Sequence, residues 1–314
     1  MFFDDTLLDH IVYETNLKSV QAGKPLAVTK NEILLFLGIN IMMGYHWVPT
    51  IKNYWSTDED LGVKPIQEAI ARDRFIAILR NLHFNDNQKM DKTDKLYNIC
   101  PLITHLNAKF SSLKKASEYL YADESMIQFK GRSTFKQYNP MKPIKRGYKL
   151  WCICDTDGSL YRFEIYTGKT DENEIISKNC DMAGNVILRL TKDYKNKHYK
   201  VYFDNFFSSV ALMEYLQSWL IHSSATIRPQ RKYLPSFPAD VKMRRGEWDY
   251  RATPNGITVY KWKDIKPVYF ISNYHGANST TVLRKSNIGI NQIVQCPDVV
   301  ADYNKYMGGV DLHD

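Results

Sequence analysis

Long apolar runs, patterned cysteines and repeats are all missing from this 314-residue sequence. The most apolar stretch, Ile33 to Met43, is too short to cross a bilayer and is broken by Gly38 and Asn40, so no membrane span is expected. The amino-terminal MFFDDTLLDH has acid where a secretory leader needs base. Together these point to a soluble protein. The five cysteines (Cys100, Cys152, Cys154, Cys180, Cys296) are odd in number and not spaced as a disulfide framework, which fits a reducing compartment. Cys152 and Cys154 would share one face of a strand, but no second Cys/His pair lies nearby to complete a zinc site, so they read as core thiols. His46, His83 and His105 are scattered and read as ordinary surface or core histidines. No internal repeat or low-complexity tract suggests a solenoid or a disordered tail.

What is present is a chain with a real core, 44% hydrophobic and 13% aromatic, sized for one large domain or two modest ones. Its 42 Lys and Arg exceed its 34 Asp and Glu, giving a net charge of +8. That balance suits an acidic partner such as nucleic acid, or simply a basic soluble protein; the distribution of the charge decides more than its sum. The basic residues gather in one place. Directly after Asp123-Glu124 come Lys130, Arg132, Lys136, Lys142, Lys145, Arg146 and Lys149, interleaved with Phe129, Phe135, Tyr138 and Tyr148. Cations between aromatic rings, in a segment rich in turns, are the composition that grips phosphates and stacks on bases. A merely solvated face is the alternative.

The period of the apolar residues changes along the chain. Residues 1 to about 117 read as helical, with a capping box at Thr29 to Glu32, a second helix opened by Pro65 and running through Ile70, Phe75, Ile78 and Leu82, and a third opened by Pro101. From Tyr119 the pattern is strand, strand, strand, helix, strand, helix, strand: 119–126, 148–154, 160–166, 182–190, 199–203, 210–219 and 222–227. Residues 228–295 are dense in base and proline, with a hairpin signal at Asn255-Gly256 and a strand at 268–272, so a β-rich insertion is expected there. Pro297 opens a last helix, which leads into Gly308-Gly309-Val310-Asp311.

Asp123 closes the apolar segment Tyr119-Leu120-Tyr121, Asp204 closes Val201-Tyr202-Phe203, and Asp311 sits on the late helix. An acid directly after an apolar strand is costly to desolvate unless it has a partner or a task. Carboxylates converging from two strands and a helix can hold a pair of Mg²⁺ ions, which act on a phosphodiester. Solvated acids at strand ends or helix caps remain the plain alternative.

The ordered motifs resemble the piggyBac family of DNA transposases, and most of all the piggyBac transposable element-derived proteins, a group that includes domesticated copies. The resemblance rests on Asp123-Glu124, Phe129-Lys130-Gly131-Arg132, Tyr138-Asn139-Pro140 with Lys142-Pro143, Tyr166-Thr167-Gly168-Lys169, Asp204-Asn205-Phe206-Phe207-Ser208-Ser209, Thr226-Ile227-Arg228, Arg245-Gly246-Glu247 and Tyr303-Asn304 leading to Met307-Gly308-Gly309-Val310-Asp311 and Asp314. It implies an α/β fold: a ribonuclease-H-like catalytic core with an N-terminal helical domain and a β-rich insertion. The implied divisions are 1–117 for a helical dimerisation and DNA-binding domain, 118–227 for the first part of the core, 228–295 for the insertion and 296–314 for the start of the catalytic helix. It implies Asp123, Asp204 and Asp311 as catalytic metal ligands, with Asp314 in support and Mg²⁺ or Mn²⁺ as cofactor. Lys130, Arg132, Lys142, Lys145, Arg146, Lys149, Asn205, Arg228 and Lys232 would contact double-stranded DNA. The implied protein is a nuclear homodimer that cuts and joins element ends flanked by TTAA, with no membrane and no small-molecule substrate. The family runs on past the Gly-Gly-Val-Asp motif into further helices and a Cys/His-rich tail, whereas this sequence stops at Asp314, so the resemblance implies impaired chemistry for this chain alone. A domesticated DNA-binding protein without chemistry is the other reading.

Overall fold

The computed structural model describes residues 2–140, 142–168, 175–286 and 289–314. Lys169 of the Tyr166-Thr167-Gly168-Lys169 motif, and residues 287 and 288 of the expected insertion, lie outside them. The chain divides into two compact units, 1–109 and 110–314.

The first unit is helical: α1 (Asp5–Gln21), α2 (Lys30–Tyr45), α3 (Lys64–Ala69), α4 (Arg72–Asn81) and the start of α5 (Cys100–Leu113). Thr29 caps α2 as its sequence predicts. Its side chain accepts from the Glu32 backbone N–H, and the Glu32 carboxylate takes the Thr29 backbone N–H in return. Ile33 and Phe36 of α2 pack with Phe75 and Ile78 of α4, the Phe36 and Phe75 rings 4.8 Å apart. The single helix expected from Pro65 through Leu82 is instead two, because Ile70 is extended (φ −154°, ψ 143°). The Trp55 indole N–H takes the Ile70 carbonyl at 2.7 Å, an acceptor that a continuous helix would have used internally.

Glu32 also ties α2 to α4. Arg74 donates from Nε to Oε1 at 2.6 Å and from Nη2 to Oε2 at 2.9 Å, a two-pronged bond that holds the Glu32 carboxyl down at about 2. A depressed carboxyl stabilises the fold above its unfolded value of 4.5, and that support is lost as pH falls through about 2. Glu32→Gln is therefore expected to lower the melting temperature at pH 7, with the difference from wild type closing as the pH is taken from about 5 towards 2. Paired thermal melts across that range check it.

The second unit is built on one mixed sheet. Its strands are β1 (Tyr119–Gln128), β2 (Gln137–Tyr138), β3 (Arg146–Asp155), β4 (Leu160–Ile165), β5 (Lys200–Phe203), β6 (His222–Thr226), β7 (Trp248–Ala252), β8 (Thr258–Lys263) and β9 (Pro267–Ser272). The order runs β3–β1–β5–β6–β9–β8–β7, with β2 and β4 both pairing β3. β1, β5 and β6 are parallel; the remaining pairs are antiparallel. Leu120, Ala122, Val201 and Phe203 face a core shared with α6 (Met182–Thr191) and α7 (Val210–Ser218). Tyr119 and Tyr202 project to the other face by the period of two, where both rings meet Tyr306 of α8 (Asp298–Tyr306).

The stretch read as an insertion mostly extends this same sheet, because β9 pairs β6 from Ser224↔Ser272 to Thr226↔Phe270 and carries β8 and β7 outward. A second hairpin, β10 (Ser279–Lys285) with β11 (Asn291–Pro297), has no counterpart in the sequence reading. Most of its residues are exposed on both faces, so the strand alternation that betrays a half-buried pair is weak there. The last helix also divides: α8 ends at Tyr306, and α9 (Gly309–His313) follows the Met307-Gly308 link. A Cβ on Gly309 would overlap the Asp155 carbonyl oxygen and stand 3.5 Å from the Tyr121 Cβ, so only glycine lets α9 seat this closely on β1 and β3.

Candidate active site

The parallel ladder between β1 and β5 ends at the pair Ala122↔Phe203. Asp123 and Asp204 are the next residue on each chain, which brings them side by side. Asp123 does not close its strand, as the sequence suggested. β1 continues to Gln128, paired along its length with β3, and Asp123 stands opposite Cys152. What ends at Asp123 is the cover from β5, and from sequence a strand losing one neighbour looks like a strand ending.

Burial pushes the Asp123 carboxyl up to about 7, and the charges of Asp204 and Glu124 push the same way. The Glu124 backbone N–H and the Lys142 ammonium oppose the rise. The Tyr121 hydroxyl donates to Asp123 Oδ2 at 3.3 Å. Asp204 is also raised, mainly by burial, although the Phe206 backbone N–H donates to its Oδ1 at 2.8 Å. The Tyr121 phenol is only 2% exposed and is held strongly protonated, by burial first and then by Tyr303, Asp123, Asp204 and Asp311. Among the described residues, only Asp123 of the three is in hydrogen-bond contact with that hydroxyl. Asp311 arrives on α9 with its side chain 62% exposed, and Asp314 ends the same helix.

One cation reaches into this cluster. Lys142 Nζ lies 3.4 Å from Asp311 Oδ1 and 4.0 Å from Asp314 Oδ2, with its side chain only 16% exposed. Burial works against its charge, but Asp123, Asp311 and Asp314 outweigh it and raise the ammonium above its ordinary value.

The hard oxygen donors of Asp123, Asp204 and Asp311 fit Mg²⁺ or Mn²⁺ in kind, and the raised Asp123 marks negative charge that burial leaves under-compensated. The set is not drawn together: among the described residues, no three His, Cys, Asp or Glu side chains are grouped so that they could hold a metal ion. Cys152 and Cys154 are buried free thiols, Cys154 pushed up to about 12 chiefly by burial, which agrees with core packing.

The other basic positions fall into two groups. Lys130, Arg132, Lys145, Arg146 and Lys232 are exposed; Arg146 lies 5.2 Å over the exposed Tyr138 ring. Lys149 is turned inward. It pairs with Glu124 and sits 4.0 Å over the Trp151 ring and 5.1 Å over Phe206. Arg228 is exposed and donates to Asn205 Oδ1 at 2.8 Å.

Glu124 belongs to the site's surroundings in a way its sequence partner Asp123 does not suggest. Its alternate position on β1 gives it to Lys149 and to Asn139, whose Nδ2 donates to Oε1 at 2.6 Å. Asp155, fully inside, was also not singled out by sequence. Burial works against its charge, but the Ser117 and Tyr161 hydroxyls (2.5 and 2.8 Å) and the Thr156 and Ser117 backbone N–H groups hold it low. A further network has the composition of a nucleophile triad. The Ser224 and Ser272 hydroxyls reach His275 Nδ1 at 3.0 and 2.9 Å, and His275 Nε2 meets Asp302 Oδ2 at 3.0 Å. Both hydroxyls are wholly buried, so no substrate can reach them, and the network ties β6 and β9 to α8.

No helix among the described residues is long and apolar enough to cross a membrane. A family described as Transposase IS4 matches residues 1–314. The chain is 32% identical to human PiggyBac transposable element-derived protein 3, over all of this chain and 54% of that one. It is 30% identical to human PiggyBac transposable element-derived protein 2, again over all of this chain and 54% of the relative, so it spans about half the length of these curated relatives. A solved piggyBac transposase, in a synaptic complex with hairpin DNA, matches the fold with a TM-score of 0.77 at 22% identity, over 99% of this chain and 65% of that one. The α/β architecture, N-terminal helices ahead of a large mixed sheet, thus shares the ribonuclease-H-like fold of that solved structure. The chain belongs to the Transposase IS4 family, and its relatives there are the piggyBac transposable element-derived proteins.

Proposed function

We propose that this chain carries the catalytic core of a piggyBac-type transposase that cuts and transfers strands of double-stranded DNA at TTAA-flanked element ends, working in the nucleus as a homodimer. The observation that carries the reading is the side-by-side placing of Asp123 and Asp204 just past the last β1–β5 pair, with α9, which carries Asp311, seated on β1 and β3 at Gly309. Asp123, Asp204 and Asp311 would hold Mg²⁺ or Mn²⁺, and Asp314 would support them from the end of α9. Bound there, such a metal would supply Lewis-acid activation of the attacking oxygen and charge stabilisation of the leaving oxygen of the phosphodiester. The protein supplies the rest. β1 and β5 hold two carboxylates in register, α9 delivers the third, and the exposed Lys130, Arg132, Lys145, Arg146 and Lys232 grip the DNA backbone beside them. That a solved structure of similar fold is a complex with hairpin DNA supports the choice of partner.

The test uses the protein extended to the length of its relatives. Incubated with duplexes carrying TTAA-flanked ends and Mg²⁺ or Mn²⁺, it is expected to nick them, and a chelator to stop it. Absence of metal-dependent cleavage on any such end overturns the reading.

A second reading is a domesticated protein that binds DNA without cutting it. The names of its relatives, transposable element-derived proteins, support it. Under either reading, binding should weaken steeply with salt, as released counter-ions require. Neutralising Lys130, Arg132 and Lys145 together should flatten the log–log salt slope by about three, measured by fluorescence anisotropy. Binding that survives Asp204→Asn, with no cleavage by either protein, would select the second reading.

A further inference from the structure

We propose that Lys142 is the resident counter-ion of the carboxylate cluster in the metal-free protein, and that it must leave before a divalent cation can settle there. The inference rests on the metal-binding reading above and assigns to Lys142 a task other than gripping DNA.

The geometry separates Lys142 from its neighbours. Lys130, Arg132, Lys145 and Lys232 point to solvent, as phosphate-gripping side chains do, whereas Lys142 is mostly enclosed and its ammonium lies between Asp311 and Asp314. The loop that carries it is tied down on both sides. Asn139 donates its backbone N–H to the Lys145 carbonyl at 2.9 Å, and its side chain to Glu124 beside Asp123. Pro143 follows Lys142 and restricts its backbone to extended conformations. The backbone that carries Lys142 is thereby restrained, and its side chain is seen turned inward.

A single ammonium faces two carboxylates at 3.4 and 4.0 Å, Asp311 and Asp314, and feels the charge of Asp123 as well, so it under-compensates them. A divalent cation compensates them better but cannot share the space, because two like charges a few ångströms apart in a partly buried site repel strongly. Binding of the cation is thus opposed by the contacts Lys142 already makes. Once expelled, the ammonium sits on the same loop as the exposed Lys145, just ahead of Arg146 at the start of β3, where a DNA phosphate would stabilise it. By linkage, DNA and the metal then favour each other's binding, and Lys142 is what couples them.

The experiment is calorimetric titration of the full chain with Mn²⁺, without DNA, for wild type, Lys142→Met, Lys142→Gln and Lys142→Arg. Both neutral variants are expected to bind Mn²⁺ about tenfold or more tightly than wild type, and Lys142→Arg to stay near wild type. In chelator, the neutral variants should melt at lower temperature than wild type, and Mn²⁺ should raise their melting temperature by more. Two neutral variants guard against one that fails to fold. Equal Mn²⁺ affinity in wild type and neutral variants overturns the proposal and leaves the metal-binding reading standing, as does weaker binding by the variants. No Mn²⁺ binding by any form overturns the metal-binding reading, and this inference with it.

Discussion

Asp123→Asn is expected to abolish metal-dependent strand cleavage, by about 10³-fold or more, while making the metal-free protein more stable. The amide keeps the shape of the side chain but removes the charge that would hold a cation. The same charge is a burden in the empty site, since burial pushes the Asp123 carboxyl up to about 7 from an ordinary 3.8. A raised carboxyl means that the folded state binds its proton more tightly than the unfolded chain does. Stability therefore falls as pH rises from about 4 to about 7 and then levels off, each pKa unit corresponding to about 1.4 kcal/mol. Asparagine escapes this loss. In chelator at pH 8 the variant should melt several degrees above wild type, and at pH 4 the two should coincide. In wild type, cleavage at limiting metal should climb as pH rises through about 7, because below that value the cation must displace a proton. Added metal should move the midpoint to lower pH. A variant that cuts as well as wild type, or a flat pH profile at limiting metal, contradicts the assignment of Asp123.

Gly309→Ala should be nearly as damaging, by a different route. The new methyl group would run into the Asp155 carbonyl oxygen, which the β3 ladder holds in place. α9 then has to retreat by on the order of 1 Å, the gap between overlap and an ordinary carbon–oxygen contact. A shift of that size in the element carrying Asp311 is expected to cost about 10²-fold in cleavage, together with about 1–3 kcal/mol of stability from overpacking. Gly308→Ala is the control. Nothing lies within 4 Å of the Cβ it would add and its φ is −101°, so it should behave like wild type in both assays. If the two variants are equally active, the close seating of α9 does not position Asp311.

Much of the second unit was legible because its signals are local. The YKLWCIC run of β3, the turn before β4 and the Asn255-Gly256 hairpin each declare themselves within about ten residues, through side-chain period and turn chemistry. The capping box at Thr29 is local for the same reason. The misreadings have a common cause in contacts with distant residues. Trp55 takes the Ile70 carbonyl where the helix ends, β6 recruits β9 across a long separation, and α9 packs against the Asp155 carbonyl at Gly309. None of these leaves a mark on the residues at the boundary itself.

The amino-acid sequence by itself determined the order of the main strands and helices between Tyr119 and Thr226, the absence of a membrane-spanning helix among the described residues, the basic stretch after Asp123, and the motifs that carry family membership. Only the tertiary structure decided which of those charges look outward and which are spent inside. Lys142 and Lys145 are three residues apart on one loop, yet one ammonium is enclosed among carboxylates and the other is in solvent. The difference comes from α9, which Gly309 allows to lie against β1 and β3 and which brings Asp311 and Asp314 to Lys142 from about 170 residues away. Charge is a property of the residue; whether it is met by water, by DNA or by another side chain depends on what the fold packs beside it.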